Sequence, residues 1–338
     1  MIYAPVIIPT LNRVVHLQRC LYSLIQNTYA DLTEIYISVD YPPSKKYEEG
    51  WNDLKIMLKN MDLSVFKHVY IFYQNKNLGS AENSKYLIEV VSKKYDRYIY
   101  SEDDNEFSPN MLAYMNKELE LYKNNPKIIG ICAARDTDWI NSGNISFSKF
   151  CPAYGFGTWV DKENKINKEI STYLLDKNHY NIKDMFPLFL HNGLLFKYYV
   201  KYIICKLPSI FIFPDGQLCI CDSIRSIYMH LTDYVSIAPA VGKARTWGND
   251  GTGEHMPKKD VQVEDIMIDP NNNFVCDESV EVHFIKKNYQ IGHKYLQNLS
   301  PGANRIIGLA YYTVFLLCGK NEKKITRLIE ILMRFQMI

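Results

Sequence analysis

The chain has 338 residues, enough for one large domain or two smaller ones, with 47% hydrophobic and 22% charged residues, the balance of an ordinary globular protein. Lys plus Arg number 39 against 37 Asp plus Glu, a net charge of +2, whereas a nucleic-acid binder would show a clear basic excess or stripe. Met1-Ile2-Tyr3-Ala4-Pro5 lacks the regions of a signal peptide, and no run reaches the roughly 18 apolar residues of a membrane span, so a cytoplasmic location is expected.

The first 135 residues alternate between two hydrophobic periods. Ala4–Thr10 reads as a strand and Val14–Asn27 as a helix with Leu17, Leu21 and Leu24 on one face. Glu34–Asp40 is strand-like and is broken by Pro42-Pro43; Tyr47–Asn60 returns to helical spacing. His68–Tyr73 is a third strand, and Ser80 is placed to cap a helix from Ala81 to Tyr95. Arg97–Ser101 is a fourth strand ending at Glu102-Asp103-Asp104. Ser108 and Pro109 suit the N-cap and first turn of a helix to about Tyr122, and Ile128–Ala133 is a fifth strand. Strands alternating with helices predict an α/β fold with a mostly parallel sheet.

Between about Arg135 and Phe284 the pattern is irregular and rich in Gly, Asn, Asp and Pro, the kind of chain that builds a site. From Tyr289 onward the spacing is helical. In Glu322–Ile338, Ile325, Leu328, Ile329, Leu332 and Met333 form one stripe, with Lys323, Lys324, Arg327 and Arg334 among the polar positions. A helix packed on the core is the plainer expectation; peripheral contact with the inner membrane face is the sharper one. The eight cysteines are scattered without paired CxxC spacing and read as reduced, mostly buried thiols.

Ligands of open α/β sheets bind beyond the carboxyl ends of the strands. Three polar features fall there: Asn12-Arg13, Asp40, and Glu102-Asp103-Asp104. Adjacent carboxylates repel one another unless a cation holds them, and their hard oxygens suit Mg2+ or Mn2+. Taken without context, Asp40 reads equally as a turn residue before Pro42, Arg13 as a solvated helix-start residue, and Asp222 as the N-cap of a helix over Ser223–Leu231.

Ile8-Pro9-Thr10-Leu11-Asn12-Arg13 resembles the opening of family 2 glycosyltransferases. Glu102-Asp103-Asp104 followed by Ser108-Pro109 resembles the acidic motif of the N-acetylglucosaminyltransferase I family (family 13). Tyr154-Gly155-Phe156-Gly157-Thr158-Trp159 is similar to a Gly-rich, Trp-containing turn that both families place near the sugar. Cys221-Asp222-Ser223-Ile224-Arg225 and Arg245-Thr246-Trp247-Gly248 through His255 resemble two later segments of family 13. The likeness covers about residues 4 to 256 and implies a GT-A type, Rossmann-like sheet flanked by helices, with a C-terminal helical extension. Its implied domains are 1–286, divided into a nucleotide-binding half (1–135) and an acceptor half (136–286), and then helices over 287–338.

The resemblance implies a metal-dependent, inverting transfer of a sugar from a nucleotide diphosphate, a UDP-sugar such as UDP-GlcNAc, while the expected cytoplasmic location and the basic C-terminal helix suggest a glycan or lipid-linked acceptor in surface polysaccharide synthesis. Asp40 would then hold uracil, Arg13 the diphosphate, and Asp104 the metal, with His255 near or on it. Asp103 and Glu102 would bond ribose and sugar, Thr10, Asn12, Gly157 and Trp159 would line the donor site, and Asp222 would be the catalytic base. Gly248–His255 would close as a lid, although Glu254 departs from the family's serine. Asp215 is a rival base better explained by its Pro-Asp-Gly turn. A sugar-phosphate nucleotidyltransferase would carry a Gly-rich basic loop after the first strand, which Pro9–Arg13 lacks, and a non-catalytic glycan-binding protein could have lost Asp104 and Asp222.

Overall fold

The structure, a computed structural model, describes residues 2–135, 145–149, 151, 153–175, 193–205, 220–253, 263–274, 301–319 and 321–334. In the first half, strands β1 (Val6–Thr10), β2 (Glu34–Val39), β3 (His68–Tyr73) and β4 (Arg97–Tyr100) alternate with helices α1 (Val14–Ile25), α2 (Glu48–Asn60) and α3 (Gly79–Ser92). There follow β5 (Asn105–Phe107), α4 (Met111–Leu121), β6 (Ile128–Cys132), β7 (Ile145–Ser148), β8 (Phe156–Trp159) and α5 (Val160–Leu175). A short helix α6 (Gly193–Tyr198) runs into a π-helical stretch, Tyr199–Ile204. The remaining elements are α7 (Asp222–Leu231), β9 (Val235–Pro239), β10 (Ala244–Thr246), α8 (Pro301–Cys318) and α9 (Glu322–Arg334).

Eight strands form one sheet in the order β3-β2-β1-β4-β8-β6-β9-β7, while β5 and β10 pair separately. Strands β1 to β4 are mutually parallel, as alternation with helices requires. The second half departs from expectation: β8 lies antiparallel between β4 and β6, and β7 lies antiparallel beside β9. The result is a mixed, Rossmann-like sheet rather than a mostly parallel one.

Both faces of the sheet are covered, and the strands show it residue by residue. On β1, Val6 and Ile8 enter the cluster built with Leu17, Leu21 and Leu24 of α1 and Leu112 and Met115 of α4. Ile7 points the other way, to Leu87 and Val91 of α3. This is the period-2 alternation of a strand with helices on either side. A third cluster joins Ile129, Phe156 and Ala238 to Ile166 and Ile170 of α5, Ile224 and Ile227 of α7, and Tyr311, Phe315, Ile325 and Ile329 of the last two helices. Of the described cysteines, Cys20, Cys132, Cys151 and Cys205 are buried.

Helix starts use long-range caps that local patterns do not reveal. Ser80 does not cap α3, which begins at Gly79; the carboxylate of Asp40 accepts the Leu78 and Gly79 N–H groups, each at 2.8 Å. Helix α4 begins at Met111, and the side-chain oxygen of Asn27 accepts its Leu112 N–H at 2.9 Å. The Asn27 amide also donates to Ser23 O at 2.8 Å, so this buried side chain is satisfied at both ends. Asn27→Ala is expected to lower stability by about 1–2 kcal/mol, read as a lower urea midpoint with unchanged slope.

Candidate active site

Strands β1 and β4 are neighbours and parallel, so Thr10 and the acidic triplet emerge at the same edge of the sheet. Thr10 Oγ1 donates to Asp103 Oδ2 at 2.7 Å. Three residues on, at the entrance to α1, the Arg13 guanidinium reaches both aspartates: Nη1 donates to Asp104 Oδ2 at 2.8 Å and Nη2 to Asp103 Oδ1. Burial opposes the Arg13 charge, but Asp103 and Asp104 outweigh it and raise its pKa. Burial raises the pKa of Asp103 despite the opposing Arg13.

Glu102 is the half-buried member. Its carboxylate makes no hydrogen bond to the described residues, and its pKa is pushed well above the usual carboxylate range. Burial contributes most, followed by the charges of Asp104, Asp222 and Asp103. Asp222, from the other half of the chain, lies close enough for its charge to act on Glu102. Asp222 is the first residue of α7, behind Cys221 at the cap, and its Oδ1 accepts the Ser223 N–H at 2.6 Å. One turn further on, buried Arg225 bonds Glu163 of α5 at 2.6 Å, with its guanidinium 4.9 Å from the Phe156 ring centre. That ion pair fixes how α7 is rotated and so where Asp222 points.

The segment after β10 lies across the triplet. The β5–β10 ladder pairs Asn105 with Thr246 and Glu106 with Arg245. Asp104 O accepts the Trp247 N–H at 2.8 Å, and Thr246 Oγ1 donates to Asp104 Oδ1 at 3.2 Å. Gly248 sits so close that a Cβ there would come within 2.3 Å of Asp104 Oδ2. Glu106 receives both Arg245 N–H groups at 2.9 Å and the Trp247 indole N–H at 2.6 Å, while the Arg19 guanidinium stacks 3.9 Å from the Trp247 ring centre. Asp250 pairs with His16 of α1 at 3.1 Å. Apart from the family resemblance, no local sequence pattern connects these residues, because the partners are up to 234 positions apart.

Three expected site residues have other work. The antiparallel register sets Phe156 opposite Tyr100, beside the triplet, and Trp159 opposite Arg97, at the far end of β4. There the Trp159 indole donates to Leu119 O at 3.1 Å and Lys162 covers its ring at 3.6 Å. Gly157 lies mid-strand opposite Ile99, against the Leu119 side chain of α4. The structure thus places Trp159 away from the triplet and Gly157 mid-strand against α4. Asp40 does sit at the end of β2, but its carboxylate accepts from Tyr41 N, Asn77 Nδ2, Leu78 N and Gly79 N. These four donors make Asp40 the anchor of the 77–79 loop. Asn12 abuts Gly50, where a Cβ would come within 2.7 Å of Asn12 O. His255 and Asp215 lie outside the described residues.

No protein-family model matches the sequence, and no curated protein matches it. Among solved structures, S. aureus TarS is similar at 13% identity and TM-score 0.29, over 41% of this chain and 23% of that one. TarS 1–349 is similar at 12% identity and TM-score 0.34, over 48% of this chain and 49% of that one. The same portion in complex with UDP-GlcNAc gives 11% identity and TM-score 0.34, over 48% and 47%. This chain thus spans no more than about half the length of these structures. Likeness at this level is partial and decides nothing about chemistry.

The Glu102 carboxylate binds its proton more readily in the folded chain than in the unfolded one. Stability therefore falls as pH rises from the ordinary carboxylate range through the folded pKa. Glu102→Gln is expected to unfold at higher urea than wild type near about pH 8, with the two converging towards about pH 4, where the wild-type glutamate takes up its proton in either state. A variant less stable than wild type at the higher pH would show the ionised carboxylate to be a net stabiliser.

Proposed function

We propose that the chain is a glycosyltransferase that moves a sugar from a nucleotide diphosphate to an acceptor hydroxyl with inversion. One observation carries this reading. A buried carboxylate cluster at the carboxyl ends of β1 and β4 is bridged by Arg13 and faced by a separate carboxylate, Asp222, from α7. Such a site has what a displacement at an anomeric carbon needs: positive charge for the departing diphosphate and an acceptor for the incoming hydroxyl's proton.

A divalent cation fits the chemistry of the cluster. Glu102, Asp103 and Asp104 offer hard oxygens, and the charges of Asp104, Asp222 and Asp103 act on Glu102 against that of Arg13. Among the described residues no three His, Cys, Asp or Glu side chains already converge as a cage. Asp104 would hold Mg2+ or Mn2+ with few protein ligands, as Mg2+ is commonly held beside substrate phosphates. When bound, the cation neutralises charge on the leaving diphosphate.

The chain's own residues do the rest. Arg13 stands at the N-terminal end of α1, where helix dipole and guanidinium both favour an anion. Its fork can move from the two aspartates to the diphosphate without leaving the site. Asp222 takes the proton from the acceptor hydroxyl as that oxygen attacks from the face opposite the diphosphate. The 246–253 segment, already seated on Asp104, excludes water from the donor. Since one base acts and no enzymic nucleophile is required, the product has inverted anomeric configuration.

UDP-sugars are the first donors to test, and acceptors are sought among glycans and lipid-linked sugars. UDP with Mn2+ is expected to raise the thermal midpoint, by an amount equivalent to about 2.7 kcal/mol at a hundredfold excess over the dissociation constant. EDTA should abolish the shift, and no shift with millimolar UDP would contradict the reading. Asp222→Asn should leave that shift intact but cut turnover by about 10²–10⁴-fold. Retention of configuration in the NMR spectrum of the product would rule out the single displacement.

A further inference from the structure

The basic amphipathic pattern of α9 suggests a membrane-facing helix, but the described part of its apolar stripe turns inward: Ile325 and Ile329 are fully buried in one cluster with Tyr311, Phe315 and Phe196, and Leu328 packs half-buried against it. The preceding helix, α8, is different. Its inner side is buried through Tyr311, Val314 and Phe315, with Phe196 packed edge-on against Tyr312 at 5.7 Å. Its outer side exposes Ile306 (70%), Leu309 (54%), Leu316 (50%) and Leu317 (77%).

At about 100° per residue these four positions and Thr313 occupy one arc of about 100° along some three turns of helix. No charged residue falls on that arc. Thr313, its one polar member, donates its hydroxyl to Leu309 O at 2.8 Å, so even this group is turned to the helix's own backbone. Solvent-facing helix surfaces ordinarily carry charge, and a contiguous apolar strip of this kind marks a contact surface.

The charges beside the strip indicate what it meets. Gly319, with φ +56°, ends α8, and α9 starts at Glu322. Lys323, Lys324 and Arg327 are exposed on its first turns. Lys323 follows Leu317 by six residues, which even a fully extended chain spans in about 20 Å. Glu322 and Glu330 lie on the same helix, half-buried and exposed respectively, so the collar is basic by only one charge over 322–330. An apolar strip followed at once by a helix start with exposed lysine and arginine matches the acyl and headgroup layers of an anionic bilayer. No described helix is long and apolar enough to cross a membrane, and a helix lying in the interface does not need to be.

We propose that the outer face of α8 docks the protein on an anionic lipid surface, with Ile306, Leu309, Leu316 and Leu317 in the acyl boundary and Lys323, Lys324 and Arg327 at the headgroups. This surface is independent of the proposed chemistry, since no residue of the acidic site takes part. A second copy of the chain is the competing occupant of such a strip.

Flotation of the full chain with vesicles, without nucleotide, tests the docking. Wild type should float with equimolar phosphatidylcholine and phosphatidylglycerol and bind vesicles of phosphatidylcholine alone at least about tenfold more weakly. Leu309→Glu with Leu317→Glu should reduce binding to the anionic vesicles by roughly tenfold or more. Both positions are exposed, so the urea midpoint should hold. Should that pair fail to fold, Ile306→Gln with Leu316→Gln removes the same strip without adding charge and is expected to act alike. Lys323→Glu with Lys324→Glu should remove the preference for anionic lipid. The proposal is overturned if wild type stays with the soluble fraction, if it binds both vesicle types equally, or if the chain is a dimer that Leu309→Glu with Leu317→Glu turns into a monomer.

Discussion

The Arg13 fork holds together what the backbone alone would leave apart. Asp103 and Asp104 follow β4, Arg13 follows β1, and the two parallel strands deliver them to one edge within hydrogen-bonding reach. Consecutive buried carboxylates repel one another and lose hydration, which is why Asp103 and Glu102 are drawn towards their protonated forms. A guanidinium answers that repulsion at two places at once, and its planar geometry suits two carboxylates as a lysine's point charge does not. Thr10 takes a third direction on Asp103, and Thr246 and Gly248 close around Asp104. The β10 strand, the Trp247 stack and the His16–Asp250 contact all inherit their positions from this arrangement.

The first half of the fold was legible because its hydrophobic periodicity is clear, even though its helix caps come from distant residues. Predicted strands at Glu34–Asp40, His68–Tyr73, Arg97–Ser101 and Ile128–Ala133 end within a residue of where they are found. Thr10, Arg13 and the triplet could be placed together for the same reason: parallel strands put their carboxyl ends on one edge. Asp40 also falls on that edge, yet its task there was hidden. Its partners come from a loop nearly forty residues on, and no local spacing records that its oxygens are already occupied.

Strand direction was the other hidden quantity. The segment ending at Trp159 carries a glycine-rich aromatic signature, and in a parallel strand Trp159 would emerge beside the triplet. Because β8 runs antiparallel, the same residues arrive reversed, with Phe156 and left-handed Gly155 at the triplet and Trp159 at the opposite rim. A four-residue strand carries no mark of its orientation; that is decided by the connections on either side. The terminal helices repeat the lesson in another form. Both α8 and α9 contain apolar residues at helical spacing, but only contact with Phe196 and its neighbours decides which stripe is covered and which is bare.

The insertion of β8 between β4 and β6 has a consequence for synthesis. A ribosome releases the N-terminus first, and β1 to β4 form a contiguous parallel block complete at Tyr100. On the emerging chain the β4 side of that block remains an open ladder until Phe156–Trp159 has left the exit tunnel, while β6 waits for the same strand. An unpaired edge invites pairing with other nascent chains, so the pace of translation between Tyr100 and Trp159 sets how long this chain is vulnerable to misassembly.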